Sequence, residues 1–530
     1  MGRVSGLRAL VGAGLVLVGA GMVVSGSGDD TVSASVLGAE RPLSLTARDP
    51  ADIRSNNSPT VARNPTDHTR LVTVNRIDTP QYSCAMHISA DGGTTWREVA
   101  IPFPEGGELP PRCFAPDAAF GADGTLHLVF ATLQGMGNSP GAVWTSSSSD
   151  NGATLSVPTQ VLGERAFQFR LAADPDRAGR LYLTWLQAEE LGVALFPGTG
   201  YPINVARSDD GGGTWGPPVR VSPPARLRVL APSLAFGADG RIHLLYLDVG
   251  DDRLDYNGGH GWQAGEPYQG TFSLVLARSD DGGATWAESV VDGGVVPTSR
   301  FLVFLPQSPS LAVDPDAGRV YVGFSDGQLG DPDVWVRVST DGGATFGDRR
   351  RVNDTPTGDG RTQNLPKLAV APGGRLDVLY YDRRSDPQDI FTEVSLQSSH
   401  DGGATFSPRL TLTRRTFDSR IGFGSRRGLP DLGSRLGLLS SEDQALAVWT
   451  DTRAGTQQSN KQDLAQATVV FATESSARPA LRTGGVVVAI VGGLVLLSAA
   501  LPFRRRPHPP RADSGDPVPD RESKTVPQGM

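Results

Sequence analysis

One eight-residue pattern recurs at a fixed spacing and constrains the fold more than any other feature of the sequence. It has the form S-x-D-x-G-x-T followed by an aromatic residue, and one copy reads Ser279-Asp280-Asp281-Gly282-Gly283-Ala284-Thr285-Trp286. Its aspartates are 59, 60, 71, 60 and 60 residues apart, at Asp91, Asp150, Asp210, Asp281, Asp341 and Asp401. Self-similarity at a fixed period indicates a domain built from repeated units.

Each copy lies between stretches with strand character. Before the fifth copy, valine alternates with other residues in Val334-Trp335-Val336-Arg337-Val338, and a basic stretch that ends at Val352 follows it. Strands on both sides of a turn signal predict a β-hairpin. The aspartate can accept hydrogen bonds from backbone N–H groups of the turn, and the glycine can adopt a positive φ without a Cβ clash. We therefore interpret the six aspartates as structural rather than catalytic.

The pattern resembles the Asp-box, or BNR repeat, of sialidases (neuraminidases) and related β-propellers. The second copy departs from it, because Leu155 stands in the place of the aromatic residue. The other five keep an aromatic residue, at Trp96, Trp215, Trp286, Phe346 and Phe406. The resemblance implies an all-β fold, the β-propeller, in which each repeat forms one blade.

A second repeat lies upstream of each Asp-box and gives the number of blades. It contains a proline, an apolar strand, a Gly/Asp turn and a second apolar strand, as around Pro232-Ser233-Leu234-Ala235-Phe236. A seventh copy begins at Leu436 and has no Asp-box after it. Seven units of about 60 residues account for residues 40–475, whereas six would leave roughly 65 residues unassigned. The sequence therefore favours seven blades, with six as the alternative.

The seventh unit lacks an outer strand, which the N-terminal end of the domain can supply. Closing the ring in this way leaves little exposed sheet edge. The segment Pro42-Leu43-Ser44-Leu45-Thr46-Ala47 resembles the outer strand Pro218-Val219-Arg220-Val221-Ser222 that follows the third Asp-box. We predict that this segment closes the ring beside a third strand at residues 467–471.

Both ends of the chain carry membrane-related signals. Residues 1–34 begin with Arg3 and Arg8, continue with an apolar, Gly-rich stretch and reach a candidate cleavage site near Val32, which is typical of an export signal or an uncleaved anchor. Residues 484–503 contain no charge, and three arginines follow at once. Twenty residues span about 30 Å as a helix, the thickness of a bilayer core. The arginines mark its cytoplasmic side.

From these signals we predict five segments. They are a signal peptide or N-terminal anchor, an extracytoplasmic propeller, a linker, a transmembrane helix and a disordered cytoplasmic tail, at residues 1–34, 40–475, 476–483, 484–503 and 504–530. The chain is thus predicted to be a single-pass protein of the cell membrane, with the propeller on the extracytoplasmic side.

Charge and motif content exclude several function classes. The net charge of −8 argues against a general nucleic-acid binder. We find no P-loop, HExxH, G-x-S-x-G or Cys/His metal spacing, so neither a cofactor nor a metal is predicted. The two cysteines, Cys84 and Cys113, are expected to form a disulfide outside the cytoplasm. The predicted partners are the membrane and a glycan or surface protein.

Arginines recur in the loops that lead into the first strand of each unit. If the Asp-boxes occupy the turns between strands three and four, these loops lie on the opposite face, where the resemblance to sialidases implies the site. Sialidases hold the carboxylate of sialic acid with three arginines, whose forked donors match two oxygens. The candidates are Arg54, Arg112, Arg228, Arg300 and Arg361, with Arg165 and Arg427 in the remaining loops. The alternative is a solvated rim of unrelated arginines.

Acids at the ends of second strands form another group of candidates. Asp78 stands 11 residues before Ser89 of the first Asp-box, and the resemblance implies a general acid/base at a comparable place. Such a carboxyl group needs a raised pKa. Asp382, which precedes Arg383 and Arg384, is a substrate-binding candidate. The alternative for both acids is a local Asp–Arg pair that holds the loop.

The resemblance also implies a tyrosine nucleophile with a glutamate partner. The candidate nucleophile is Tyr381, with Tyr256 and Tyr201 as alternatives and Glu189 or Glu190 as partner. The F/Y-R-I-P stretch of sialidases is absent from the start of the domain, where the chain reads Asp52-Ile53-Arg54-Ser55. This departure argues against catalysis.

The fourth unit contains an insertion between Val249 and Gly270 that is rich in acids and aromatic residues. Tyr256 and Trp262 are candidates for stacking on the apolar face of a sugar, whose hydroxyl groups the acids would bind. Long loops in compact domains are often functional. The alternatives are a surface excursion without a function, or a Ca²⁺ site, although the acid spacing fits no EF-hand loop.

Two functions are consistent with these features. The first is a sialidase-like glycoside hydrolase of exo-α-sialidase type that acts on anionic glycans at the cell surface. It requires three arginines within reach of one carboxylate, with Asp78 nearby. The second is a non-catalytic propeller that binds a glycan or a protein, or scaffolds an envelope complex, and it predicts no Tyr/Glu pair on the functional face.

Overall fold

The structure is a computed structural model of the chain. It describes residues 22–25, 30–44, 53–106, 111–135, 138–188, 201–252, 268–298, 307–422 and 431–475. The chain divides into two compact units, residues 1–474 and 475–530. The first contains all the structure described below. The second, apart from Ser475, lies outside the described residues, and so does the predicted transmembrane segment 484–503.

Seven antiparallel sheets form a seven-bladed β-propeller. The first strand of each blade contacts the first strand of the next, and the contact between blades 7 and 1 completes the circle. The count favoured from the repeats is therefore confirmed. The second strands are buried on both faces in this arrangement, and Leu376–Asp382 of blade 6 is buried along its whole length.

The strands of the first six blades follow one another outward from the centre in chain order. Blade 1 contains Asn56–Arg63, Leu71–Ile77, Ser83–Ser89 and Arg97–Val99. Blade 2 contains Cys113–Phe120, Leu126–Gln134, Ser139–Ser148 and Thr159–Leu162. Blade 3 contains Ala166–Ala173, Leu181–Gln187, Ile203–Ser208 and Val219–Arg220.

The remaining blades repeat this arrangement with small additions. Blade 4 contains Val229–Phe236, Ile242–Asp248, Phe272–Ser279 and Ala287–Val295, with a 3-10 turn at Ala238–Gly240. Blade 5 contains Ser310–Asp314, Arg319–Asp326, Asp333–Ser339 and Arg350–Arg351. Blade 6 contains Gln363–Val370, Leu376–Asp382, Phe391–Ser399, Leu410–Thr411 and Phe417–Asp418. Blade 7 contains Gly437–Ser440, Gln444–Asp451 and Asp463–Ser475.

N-terminal strands complete blade 7. Arg41–Pro42 pairs with the third strand of this blade, and the Leu43 N–H continues the pairing by donating to the Leu464 carbonyl at 2.7 Å. The predicted closing segment thus begins one residue earlier than expected, and its residues 45–47 lie outside the described residues. The third strand, Asp463–Ser475, is longer than predicted and also carries Asp30–Val36 on its outer edge.

The described part of the predicted export segment is extended. Residues 22–25 and 30–34 belong to the strands Met22–Ser25 and Asp30–Val36, which pair with each other in antiparallel register. In the described ranges, no helix has the length and apolar character needed to cross a bilayer.

Apolar side chains hold neighbouring blades together. One continuous core joins Tyr182 of blade 3, Leu244 and Leu274 of blade 4, and Val322 of blade 5. All four are almost fully buried. Burial of about 25 cal/mol per Å² of apolar surface makes these interfaces the main source of stability.

The six S-x-D-x-G-x-T turns connect strands three and four, and we call them the Asp turns. In blade 5 the Ser339 hydroxyl donates to Asp341 Oδ1 at 2.7 Å and accepts the N–H of Gly343 at 2.7 Å. The N–H and hydroxyl of Thr345 donate to the two oxygens of Asp341 at 2.9 and 2.6 Å. The same four hydrogen bonds form in the other turns, including the one that carries Leu155.

Each Asp turn packs on the preceding blade. A Cβ atom added to Gly403 in the turn of blade 6 would lie 2.8 Å from Val338 of blade 5. This glycine has a φ of +88°, which L side chains rarely adopt. In blade 1 the indole of Trp96 donates to Gln466 of blade 7 at 2.9 Å. The turns therefore join blades as well as strands.

Blade 7 has no Asp turn, and an arginine supplies its link to blade 6. Arg375 pairs with Asp377 at 3.0 Å in blade 6 and donates to the carbonyls of Ser441 and Glu442 in blade 7 at 2.9 and 2.7 Å. The Ser440 hydroxyl donates to Asp377 at 2.7 Å from the other side. This buried network fastens the last blade to its neighbour.

The Asp turns predict a loss of stability in acid. Hydrogen bonds from threonine and serine lower the pKa of Asp150, Asp210 and Asp281 to about 2. Because these folded-state pKa values lie below the unfolded value of about 4, the stabilisation is present above pH 4 and is lost as the pH falls toward 2. We expect the melting temperature to fall over this interval. The triple variant with Asn at these positions should have a lower melting temperature at neutral pH, and this temperature should depend less on pH. An equal dependence of the melting temperature on pH in both proteins would contradict a stabilising role of the three aspartates.

Candidate functional site

The face opposite the Asp turns carries the residues that the sequence marks as functional. We call it the top face, and it is formed by the loops that lead into the first strands and by those between the second and third strands. Arg54, Arg112 and Asp78 all lie there in blades 1 and 2. The contacts of each candidate determine what it is able to bind.

Three of the candidate arginines make the same contact within their own blades. Arg112 donates to the Gly135 carbonyl at 2.7 Å, and Arg228 donates to the Gly250 carbonyl at 3.1 Å. Arg361 donates to the carbonyl of Pro387 at 2.9 Å. In each case the guanidinium group ties the loop before the first strand to the loop after the second. The recurrence of these arginines therefore has a structural cause that is local to each blade.

Arg54 forms a different contact, also away from the propeller centre. Its guanidinium group pairs with Glu98 on the fourth strand of blade 1 at 3.1 Å. The contacts of these four arginines lead to four separate places on the top face. Arg300 and Arg427 lie outside the described residues, and so do Tyr256, Trp262, Glu189 and Glu190.

Asp78 lies in a closed ion pair. Arg76 contacts its two carboxylate oxygens at 2.6 and 2.9 Å, and the amide of Asn57 donates to one of them at 2.9 Å. The Asp78 side chain is 2% exposed. Burial lowers the pKa of Arg76, but the Asp78 charge outweighs it, so the pKa is raised overall. Both oxygens of Asp78 are thus occupied by donors of the protein, whereas a general acid must come within hydrogen-bond reach of the substrate.

An aspartate–arginine pair also closes the second strand of four other blades. Asp382 is fully buried and accepts hydrogen bonds from Arg384 at 2.6 Å and from the Ser395 hydroxyl at 3.1 Å. The corresponding pairs are Arg226–Asp248, Arg349–Asp326 and Arg453–Asp451. These contacts are those of an Asp–Arg pair that holds a loop. They leave Asp382 no oxygen that faces solvent.

Tyr381 lies in the core of blade 6. It has no exposed surface, and its hydroxyl accepts the Thr450 N–H at 3.1 Å and donates to the Thr450 carbonyl at 3.3 Å. Burial raises the pKa of this hydroxyl well above its usual value. A nucleophile needs access to substrate and a base that lowers the cost of deprotonation, and this environment provides neither.

A tyrosine–glutamate pair that the sequence does not reveal lies in blade 4. The Tyr246 hydroxyl donates to Glu288, which also pairs with Arg226 at 3.1 Å. Tyr246 is fully buried, and both burial and the glutamate raise its pKa. The pair therefore belongs to the interior of the blade. Its members are 42 residues apart on strands two and four, and no motif marks them.

A disulfide joins blades 1 and 2 near the top face. It connects Cys84, on the third strand of blade 1, with Cys113, at the start of the first strand of blade 2, and the two Cα atoms are 5.5 Å apart. Cys113 is completely buried. The bond thus locks one of the seven blade interfaces covalently.

The chain resembles solved propellers at low sequence identity. It is similar to a protein of unknown function from Dyadobacter fermentans, with 17% identity, 83% of this chain and 99% of that chain covered, and a TM-score of 0.45. It is also similar to the sialidase Hz136 of a Hadza microbe, with 15% identity, 75% and 73% covered, and a TM-score of 0.40. An α-L-arabinanase of Penicillium chrysogenum has 16% identity, 69% and 95% covered, and a TM-score of 0.40. No family model and no curated protein matches the chain.

The burial of Asp382 predicts that its loss affects folding. Asp382→Asn removes the buried one of the two charge partners of Arg384, and the loss of a buried partner typically costs roughly 3 kcal/mol. Asp354→Asn removes another partner of the same arginine, but this carboxylate is half exposed and should contribute less than about 1 kcal/mol. Chemical denaturation of both variants tests the difference. Equal stability of Asp382→Asn and the wild type would contradict the structural role.

The disulfide predicts a stability difference of its own. The cysteines are 29 residues apart, and closing such a loop contributes about 3–4 kcal/mol in the chain-entropy model. We expect the double variant Cys84→Ser/Cys113→Ser to unfold at lower denaturant concentration than the oxidised wild type. The reduced wild type serves as the control and should match the variant. Two free thiols on titration of the unfolded, unreduced protein would contradict the bond.

Proposed function

We propose that the chain is a membrane-anchored, non-catalytic propeller that binds glycans on its top face, outside the cytoplasm. The observation that carries this proposal is that Asp78, Tyr381 and four of the candidate arginines are already engaged by the protein. Asp78 is paired with Arg76, Tyr381 is buried, and Arg54, Arg112, Arg228 and Arg361 form contacts in separate parts of the top face. A sialidase-type hydrolase requires these groups to be free and to converge.

The insertion in the fourth unit supports a glycan as the ligand. Tyr256 and Trp262 offer aromatic rings, and the same segment carries several acids that accept hydrogen bonds from sugar hydroxyl groups. Glycan binding of this kind needs stacking surfaces and hydrogen-bond acceptors but no general acid. Anionic glycans remain the class suggested by the resemblance to sialidases.

The proposed location rests on signals at both ends of the chain and on the cysteines. An export segment within residues 1–34 and an apolar segment at 484–503, followed by three arginines, support a single span with the propeller outside the cytoplasm. The disulfide between Cys84 and Cys113 fits an oxidising compartment.

Activity on a fluorogenic sialoside tests the absence of catalysis. We expect the purified full-length chain to show no turnover above that of its Asp78→Asn variant, because the Asp78 carboxylate is buried against Arg76 and does not reach a substrate. Turnover that disappears in this variant would refute the proposal and establish a hydrolase with Asp78 as its acid.

A glycan array tests binding, with Trp262→Ala as the diagnostic variant. Loss of one stacking ring should weaken binding about tenfold or more, which corresponds to 1.4 kcal/mol. Phe391→Ala is the matched control, because Phe391 is an exposed aromatic residue at the top face of blade 6, outside the insertion. No binding by the wild type, or equal binding by both variants, would contradict glycan recognition by the insertion.

A further inference from the structure

The seven first strands enclose a cavity at the propeller centre. Its volume is about 210 Å³, and residues from every blade line it. Because the blades are repeats of one unit, equivalent positions of the seven strands face each other across this cavity. The seven residues at one position of the repeat therefore form a complete ring around the cavity.

A backbone feature selects one position of the repeat for the ring. In five blades a residue that is not glycine adopts a positive φ of 50–57°, and in each the strand pairing shifts register at the same place. Gln168 of blade 3 and Leu365 of blade 6 are examples. A bulge of this kind re-aims the side chains that follow it. The residue two positions later lines the cavity in these five blades, and the equivalent residues of blades 5 and 7 line it as well.

This ring, which we call the polar ring, consists only of polar residues. Three blades contribute a hydroxyl group from Thr60, Ser233 or Ser310, and blade 2 contributes Asp117. The other three contribute a cation, from Arg170, Lys367 or Arg435. Two residues further along each strand stands an alanine, or Gly437 in blade 7.

The charges of the polar ring do not cancel. Asp117 is its one acid and lies 3.6 Å from Arg435. Arg435 also donates to the Thr60 hydroxyl at 2.8 Å, and its Nε has no hydrogen-bond partner among the described residues. The charge of Asp117 thus compensates one positive charge of the ring, that of Arg435. Two positive charges, on Arg170 and Lys367, are left over.

Neither remaining cation has a charged partner in contact. Arg170 donates to the adjacent Phe169 carbonyl at 3.2 Å. The Lys367 ammonium group forms no hydrogen bond or ion pair with any residue in the described ranges. A charge held inside a protein without a partner is costly. The ring therefore offers two unpaired cations to any anion that enters the cavity.

The pKa values agree with this geometry. Burial lowers the pKa of Arg435 to about 9, and the charge of Arg170 lowers it further. Burial also lowers the pKa of Lys367, with added repulsion from the same arginine. Burial is the main cause in each case, and repulsion between the cations adds to it for Lys367 and Arg435. An anion between them would reverse this effect.

The hydroxyl groups add donors of the right kind. Ser310 accepts the Leu368 N–H at 2.9 Å through its oxygen, so its own O–H is available to donate. The Ser233 hydroxyl group has no hydrogen-bond partner among the described residues. Two cations and two hydroxyl donors approach the cavity from blades 3, 4, 5 and 6. Donors that converge from several directions match a tetrahedral group of oxygens better than a planar carboxylate.

We propose that the polar ring binds a small tetrahedral oxyanion with two negative charges, of the class of phosphate and sulfate. The anion is held by Arg170 and Lys367, with Ser233 and Ser310 as hydrogen-bond donors. The charge of the ligand equals the uncompensated charge of the ring. This site lies in the propeller centre and does not depend on the glycan-binding function proposed for the top face.

Thermal unfolding of the full-length chain tests the site directly. Sodium phosphate and sodium sulfate are titrated against sodium chloride and sodium acetate at equal ionic strength. We expect phosphate or sulfate to raise the melting temperature in a saturable manner, because a ligand that binds only the folded state stabilises it. Chloride and acetate should have no comparable effect. Equal stabilisation by all four salts, or by acetate and sulfate, would overturn the proposal.

Lys367→Met provides a readout that a merely structural lysine would not give. Without the anion this variant should melt at a higher temperature than the wild type, because it removes an unpaired charge. The affinity of this variant for the anion should be lower than that of the wild type by about tenfold or more. Arg350→Met, on the exposed fourth strand of blade 5, makes the same change of charge and should leave the affinity unchanged.

A second variant covers the case in which Lys367→Met does not fold. Ser233→Ala removes one donor without a change of charge and should weaken anion binding a few-fold while the melting temperature in chloride stays constant. An unchanged affinity in Ser233→Ala and Lys367→Met, or an equal loss in Arg350→Met, would place the anion elsewhere and refute the polar ring as its site.

Discussion

Ring closure is the constraint on which the rest of the structure depends. The third strand of blade 7, Asp463–Ser475, would have an open edge if Arg41–Pro42 and Asp30–Val36 did not pair with it. Closure brings Gly437–Ser440 beside the first strand of blade 1, so that seven first strands converge on one cavity. Both the blade interfaces and the polar ring follow from it. Residues more than 400 positions apart in the chain thereby become neighbours.

Repetition explains why most polar groups of the top face are structural. In five blades the aspartate at the end of the second strand is largely buried, and an arginine forms an ion pair with it each time. Arginines before the first strands likewise hold loops in three blades. The polar ring differs in this respect. There the repeat position changes between hydroxyl, acid and cation, and Lys367 has no charge partner in the part of the chain that the structure describes.

The fold could be predicted from the sequence, but the contacts of the candidate site residues could not, and the reason is the distance over which each interaction acts. The Asp turns and the count of seven were readable because each unit repeats a local pattern. The contacts of Arg54 with Glu98 and of Tyr246 with Glu288 could not be predicted in this way, because the residues they join are 44 and 42 positions apart in the sequence. The polar ring had a readable signal, the residue after the proline in most units, but its meaning depends on closure.

The hydrogen bonds of Asp341 with Ser339 and Thr345 span four residues or fewer, so the sequence by itself determined the turns, their spacing and hence the propeller. Tertiary structure alone decided which charges are compensated. Arg435 lies 318 positions from Asp117 in the chain and 3.6 Å from it in space, while Lys367 has no charge partner within the described ranges. Coulomb interactions depend on separation and burial, and both are set only when the seven blades close around the cavity.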